Sequence, residues 1–239
     1  MLQFATPMPV PGRTGLEPYR LARLDKRIAS GLASRLLRRL PARWELGHRA
    51  THGLLTRQAI SILRADGHRQ LAAWLRQHER PLIRGLYWAD EGWKSVTHFY
   101  HPTSGVGYLG WPNAVTVMHE YAQLAADWYN QGVQAAAAFY LGAAVHLVQD
   151  LCVPHHAGIR VGHGHYAFEA AGEQQAGRYL VRAGGLYAAW SPAQWLQANA
   201  AAAEPWLQAP AGTHGGLGAM LERAQRTSAG FLHAFFAAG

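Results

Sequence analysis

With a single cysteine, Cys152, the chain has no partner for an internal disulfide and no thiolate set for a multi-cysteine zinc site. Any metal must therefore be held mainly by histidine and carboxylate. No apolar run approaches the roughly 20 residues that cross a bilayer as a helix, and a soluble protein is expected. Charged residues make up only 15% of the chain, no alternating strand pattern stands out, and no segment repeats another. These absences leave a helical reading.

What is present supports it. Hydrophobic content is 49%, and alanine-rich stretches such as Ala135 to Ala138 and Ala200 to Ala203 favour closely packed helices. A length of 239 residues suits one main core. The fold class expected is all-α, a single multi-helix domain, with helices near 49–64, 68–79, 113–130, 132–152, 165–182, 193–204 and 215–236. Between Gly85 and Pro112 the sequence is aromatic and glycine-rich, too irregular for a long helix, and it carries Asp90, His98 and His101.

Charge is unevenly placed. Of 22 basic residues, nine precede Trp44, where they face only Glu17 and Asp25 among the 14 acids, leaving 13 basic against 12 acidic residues from Trp44 onward. Of the formal charge of +8, +7 thus belongs to residues 1–43, a leader or propeptide whose basic stretch places Leu32, Leu36, Leu37 and Leu40 at helical spacing. It has no continuous apolar core of the kind an ordinary secretory signal carries. A nucleic-acid partner would rest almost wholly on this leader and is disfavoured. The domain proper is expected at 44–239.

The chemistry concentrates in the run from His146 to Glu169. His146 and Asp150 stand four residues apart, on one face of a helix that Pro154 ends. His165 and Glu169 repeat the spacing on the next helix, and a short loop with His155, His156 and His163 joins them. One such pair is an ordinary surface ion pair. Two pairs sharing a histidine-rich loop point to a metal site, because imidazole and carboxylate are the ligands zinc takes when thiolate is lacking.

The run Gln131 to His156, with His146, Asp150, Pro154 and His156 in order and His165 and Glu169 following, resembles the zinc-dependent bacterial phospholipases C, including the catalytic domain of the clostridial alpha-toxin. Upstream, Thr51 to Leu63 looks like that family's first helix with its ligand His52, Gly85 to Asp90 like the loop with its catalytic aspartate, and His98 to Pro102 like its next histidine. Trp44 stands where the family has its mature N-terminal tryptophan. The resemblance spans about Trp44 to Tyr179. It implies three zinc ions: one held by Asp90, His98, His146 and Asp150, a second by the Trp44 main chain, His52 and Asp150, a third by His156, His165 and Glu169. It also implies a catalytic role for Asp90, as general base toward an attacking water. The substrate implied is phospholipid, cleaved on the glycerol side to diacylglycerol and a phosphorylated head group.

Several consequences follow from the resemblance. A free α-amine at Trp44 requires cleavage after Arg43, which suits a trypsin-like protease, and a secreted or extracytoplasmic monomer touching membrane surfaces only transiently is expected. Glu91, Gly47 and the run Ala157 to Arg160 depart from residues some members carry, so no choline preference is implied. The interval from His156 to His165 is short and calls for a tight loop. A related three-zinc nuclease family is the nearest rival: Trp44-Glu-Leu-Gly-His48 is similar to its opening, with His48 then replacing His52. A helical protein holding one zinc for stability alone is a third reading. Trp88 and Trp93 flank Asp90 and are candidates for lining a cleft.

Overall fold

A computed structural model describes residues 49–208 and 214–237, which form nine α-helices with no strand among them. Trp44, His48 and the leader lie outside the described residues. The all-α expectation holds.

The helices are α1 (Arg49–Ala65), α2 (Arg69–Gln77), α3 (Glu79–Ala89), α4 (Ala114–Asn130), α5 (Gln134–Asp150), α6 (Pro154–Ala157), α7 (His163–Gln175), α8 (Pro192–Ala203) and α9 (His214–Ala237). Helix α5 is the axis of the domain: every residue from Ala136 to Asp150 is buried. Its small residues let neighbours approach closely. A Cβ on Gly142 would run into the Leu82 carbonyl of α3, and one on Gly85 into the Phe139 carbonyl of α5. The two helices therefore cross backbone against backbone, which fixes the end of α3 beside the last turns of α5.

This crossing corrects the reading of residues 85–89 as loop. Gly85 is a packing glycine inside α3, and the helix ends only at Asp90. The expected helix over 68–79 is in fact α2, after which α3 begins directly at Glu79. The expected helix over 165–182 is also shortened, ending at Gln175 with a 3₁₀ turn over Ala176–Arg178. Beyond it, side-chain amides take the backbone groups a helix would have used: Gln225 binds the Val181 N–H and the Tyr179 carbonyl, and Gln58 the Val181 carbonyl. The remaining boundaries follow local signals. Asn113 caps α4 by accepting from the Thr116 N–H at 2.9 Å, and Ser191 with Gln194 forms a capping box before Pro192.

The connection from α6 to α7 turns within a few residues. Ile159 adopts φ 52° and Gly162 φ 121°, and the Arg160 N–H closes on the His155 carbonyl at 2.9 Å. The loop is as tight as the sequence requires, with a non-glycine residue held in the left-handed region.

Candidate metal centre

Five helices and one loop bring the expected side chains together. His52 comes from the first turn of α1, Asp90 caps the C-terminus of α3, and His98 ends the 3₁₀ segment Gly92–Thr97. His146 and Asp150 lie on α5, His156 on α6, and His165 and Glu169 on α7. Three groups of ligand atoms result: His52, His146 and Asp150; Asp90, His98 and His146; and His156, His165 and Glu169.

Asp150 is the hub. Its Oδ1 lies 3.2 Å from His52 Nε2, while its Oδ2 lies 2.7 Å from His98 Nδ1 and 3.1 Å from His146 Nε2. His156 Nδ1 approaches the same Oδ2 at 3.6 Å. The ring of His98 is oriented from behind, because its Nε2 meets the Ala89 carbonyl at 3.1 Å. His98 Nδ1 and His146 Nε2 then face each other at 3.3 Å. In the third group His156 Nε2 stands 2.8 Å from His165 Nε2, and Glu169 Oε1 lies 2.7 Å from the latter. Nitrogen lone pairs and carboxylate oxygens converging at such distances need a cation or a shared proton between them.

Electrostatics gives the same result. Burial would raise the Asp150 carboxyl, yet the charges of His146 and His156 and hydrogen bonds from His146 and His52 hold it well below the usual carboxylate range. Burial opposes protonation of His52, but Asp150 outweighs it and, with Asp90 and Gln149, pushes the imidazole up to about 9. Burial lowers His146. The donor set, imidazole nitrogens with carboxylates and no thiolate, fits zinc. Cys152 joins none of the groups: it is buried, and burial pushes its thiol up to about 12.

Other expected roles sort differently. His155 belongs to α6, not to a loop, and stacks on His165 with ring centroids 5.6 Å apart at 15°. His101 pairs with Glu204 at 3.5 Å. Trp88 packs against Tyr121, Phe139 and Tyr140 in the core, with the Lys94 ammonium 4.7 Å from its ring. Sequence reasoning overlooks Gln149, whose amide reaches His52 Nδ1 at 2.8 Å. The available signal was one further polar residue beside the ligands His146 and Asp150 at the end of a largely apolar helix.

A helical domain gathering three groups of nitrogen and oxygen ligands around one buried carboxylate has the make-up of a metal-binding protein. A family model described as zinc dependent phospholipase C matches residues 51–202. The chain belongs to that family.

The phospholipase C of Listeria monocytogenes is 30% identical over 117 residues, covering 45% of this chain and 40% of that protein. Among solved structures, the alpha-toxin of Clostridium absonum superposes with a TM-score of 0.71 at 21% identity, over 80% of this chain and 64% of that one. Alpha-toxin from an avian strain of Clostridium perfringens gives 0.69 at 19% identity over the same shares. These two likenesses concern the fold. The chain spans less than two thirds of the length of each of these relatives.

Proposed function

We propose that this chain is a zinc-dependent phospholipase C that hydrolyses the glycerol-side phosphodiester of phospholipids to diacylglycerol and a phosphorylated head group. The observation that carries the reading is the division of Asp150, with Oδ1 toward His52 and Oδ2 toward His98 and His146. A carboxylate split in this way suits a bridge between two ions. One ion would be held by Asp90, His98, His146 and Asp150, a second by His52 and Asp150 with the Trp44 main chain, and a third by His156, His165 and Glu169.

Zinc bound there would lower the pKa of a water and neutralise charge on the phosphoryl oxygens. The protein's own part is positional and acid-base. Asp90 terminates α3 within reach of His98 and His146, and its carboxylate takes a proton from the water attacking phosphorus opposite the glycerol oxygen. The bond to glycerol breaks as the new bond to phosphorus forms, and the departing oxygen takes a proton from solvent to leave as the diacylglycerol hydroxyl.

The rim favours lipid. Tyr108 packs on Phe99, which stacks flat on His156 with centroids 4.8 Å apart, so the loop carrying Val106 and Leu109 flanks the third group. Leu109 is 78% exposed, and Val161, just before α7, and Tyr166, next to His165, are 54% and 64% exposed. Apolar tips beside an anionic-substrate site suit transient contact with a membrane surface. The approach of His52 to Asp150 supports the phospholipase pattern over the nuclease one, in which His48 is the ligand. We further propose that cleavage after Arg43 frees the Trp44 amine, that 44–239 is the mature domain, and that it acts outside the cytoplasm.

Asp90→Asn tests the mechanism. Much of the zinc should remain by metal analysis, because His98, His146 and Asp150 would still hold the ion that Asp90 shares, while turnover falls about 100-fold or more, the usual scale for a lost general base. Unchanged turnover would remove Asp90 from this role.

A further inference from the structure

Gln149 is buried at the end of α5, next in sequence to Asp150. Consecutive helical residues point about 100° apart, and here they grip one imidazole from two sides. Gln149 Oε1 meets His52 Nδ1 at 2.8 Å, and Asp150 Oδ1 meets His52 Nε2 at 3.2 Å.

The direction of every hydrogen bond on the Gln149 side is determined. The Thr56 hydroxyl donates its one proton to the His52 carbonyl, 2.9 Å away in α1. Its oxygen therefore offers only lone pairs to Gln149, 2.9 Å distant, and the atom facing it must be the amide nitrogen. The second amide proton points to Ser228 Oγ of α9 at 3.3 Å. Both donors being used, the amide oxygen must face His52, and an oxygen there accepts only from a protonated Nδ1. The neutral ring then carries its lone pair on Nε2, aimed at Asp150.

We propose that Gln149 is a positioning residue that fixes the tautomer of His52, so that Nε2 and not Nδ1 is the nitrogen presented to zinc. Thr56 sets the orientation of the Gln149 amide, and Ser228 links it to the C-terminal helix. The proposal rests on His52 being a zinc ligand, as put forward above. It assigns to α1, α5 and α9 a shared polar lock behind the metal centre, of the kind that holds ligating histidines in other metalloproteins.

Long-range proton–nitrogen spectra of the zinc-loaded protein with labelled histidine test it. The expected result is zinc on His52 Nε2 with the proton on Nδ1. Zinc on Nδ1 would overturn the proposal and leave the ligand assignment standing, whereas an unligated His52 would overturn both. Two variants add an energetic readout by metal competition. Gln149→Leu, which removes the acceptor, should weaken zinc at the His52 site about 10–100-fold. Gln149→Glu, which keeps an acceptor toward Nδ1, should retain most of the affinity. Equal affinity in both variants and wild type would contradict the proposal, and the wild-type spectrum decides the matter should Gln149→Leu fail to fold.

Discussion

His156 and His165 face each other through their Nε2 atoms at 2.8 Å, with Glu169 Oε1 within 3.4 Å of the first and 2.7 Å of the second. Two imidazole nitrogens and a carboxylate oxygen cannot all be acceptors at that range unless a cation or proton lies among them.

The proposed third zinc site should accordingly be separable from the two proposed at Asp150. Glu169→Gln keeps the shape and removes the charge, so zinc content should drop by about one ion per chain while the His52 and His98 sites stay filled, since structural sites depend on their own ligand sets. Metal analysis after gel filtration checks this. Loss of all zinc would mean that the three groups fill as one unit.

Helix α3 and α5 depend on glycine at their crossing. On propensity alone Gly142→Ala would stabilise a helix by about 1 kcal/mol, but the new Cβ would strike the Leu82 carbonyl, which is backbone and cannot swing away. Overpacking typically costs about 1–3 kcal/mol and occasionally more, and a clash with backbone that cannot move aside belongs at the upper end of that range. A net loss of about 2 kcal/mol or more is expected in urea melts of the metal-free protein, and a stabilised variant would contradict the crossing.

Asp66, at the end of α1, accepts from the Gly184 and Gly185 N–H groups and from the Tyr187 hydroxyl at 2.6 Å. Although burial alone would raise it, these hydrogen bonds hold its carboxyl below the ordinary value. A depressed carboxyl contributes stability above its unfolded pKa of about 3.9 and loses it as pH falls through the lower folded value. The stability gap between wild type and Asp66→Asn should therefore be full at neutral pH and narrow as pH drops below about 4. Chemical denaturation across that range reads it, and a gap independent of pH would remove Asp66 from the account.

How much of this was legible beforehand depends on the range of the signal. His146 with Asp150 and His165 with Glu169 announce themselves by helical spacing, and α9 and α4 fall close to where their apolar periodicity puts them. His52, Asp90 and His98 are scattered along the chain and carry no local mark, so only the resemblance singles them out. The Asp90 segment misleads because Gly85 reads as a loop breaker, when its reason for being glycine is the Phe139 backbone some fifty positions away. The early end of α7 is equally non-local, since Gln58 and Gln225, from α1 and α9, supply the competing hydrogen bonds. Gln149 is hidden for the same cause: nothing near it in sequence shows that its amide lies between Thr56, Ser228 and His52.

Product analysis with phospholipid tests the central claim most directly. Protein beginning at Trp44 and loaded with zinc is given short-chain phosphatidylcholine and other phospholipids in isotopically labelled water, beside single-stranded nucleic acid. The account predicts diacylglycerol without label, a phosphorylated head group bearing it, and little attack on the nucleic acid. Phospholipids left intact while the nucleic acid is cut would contradict it.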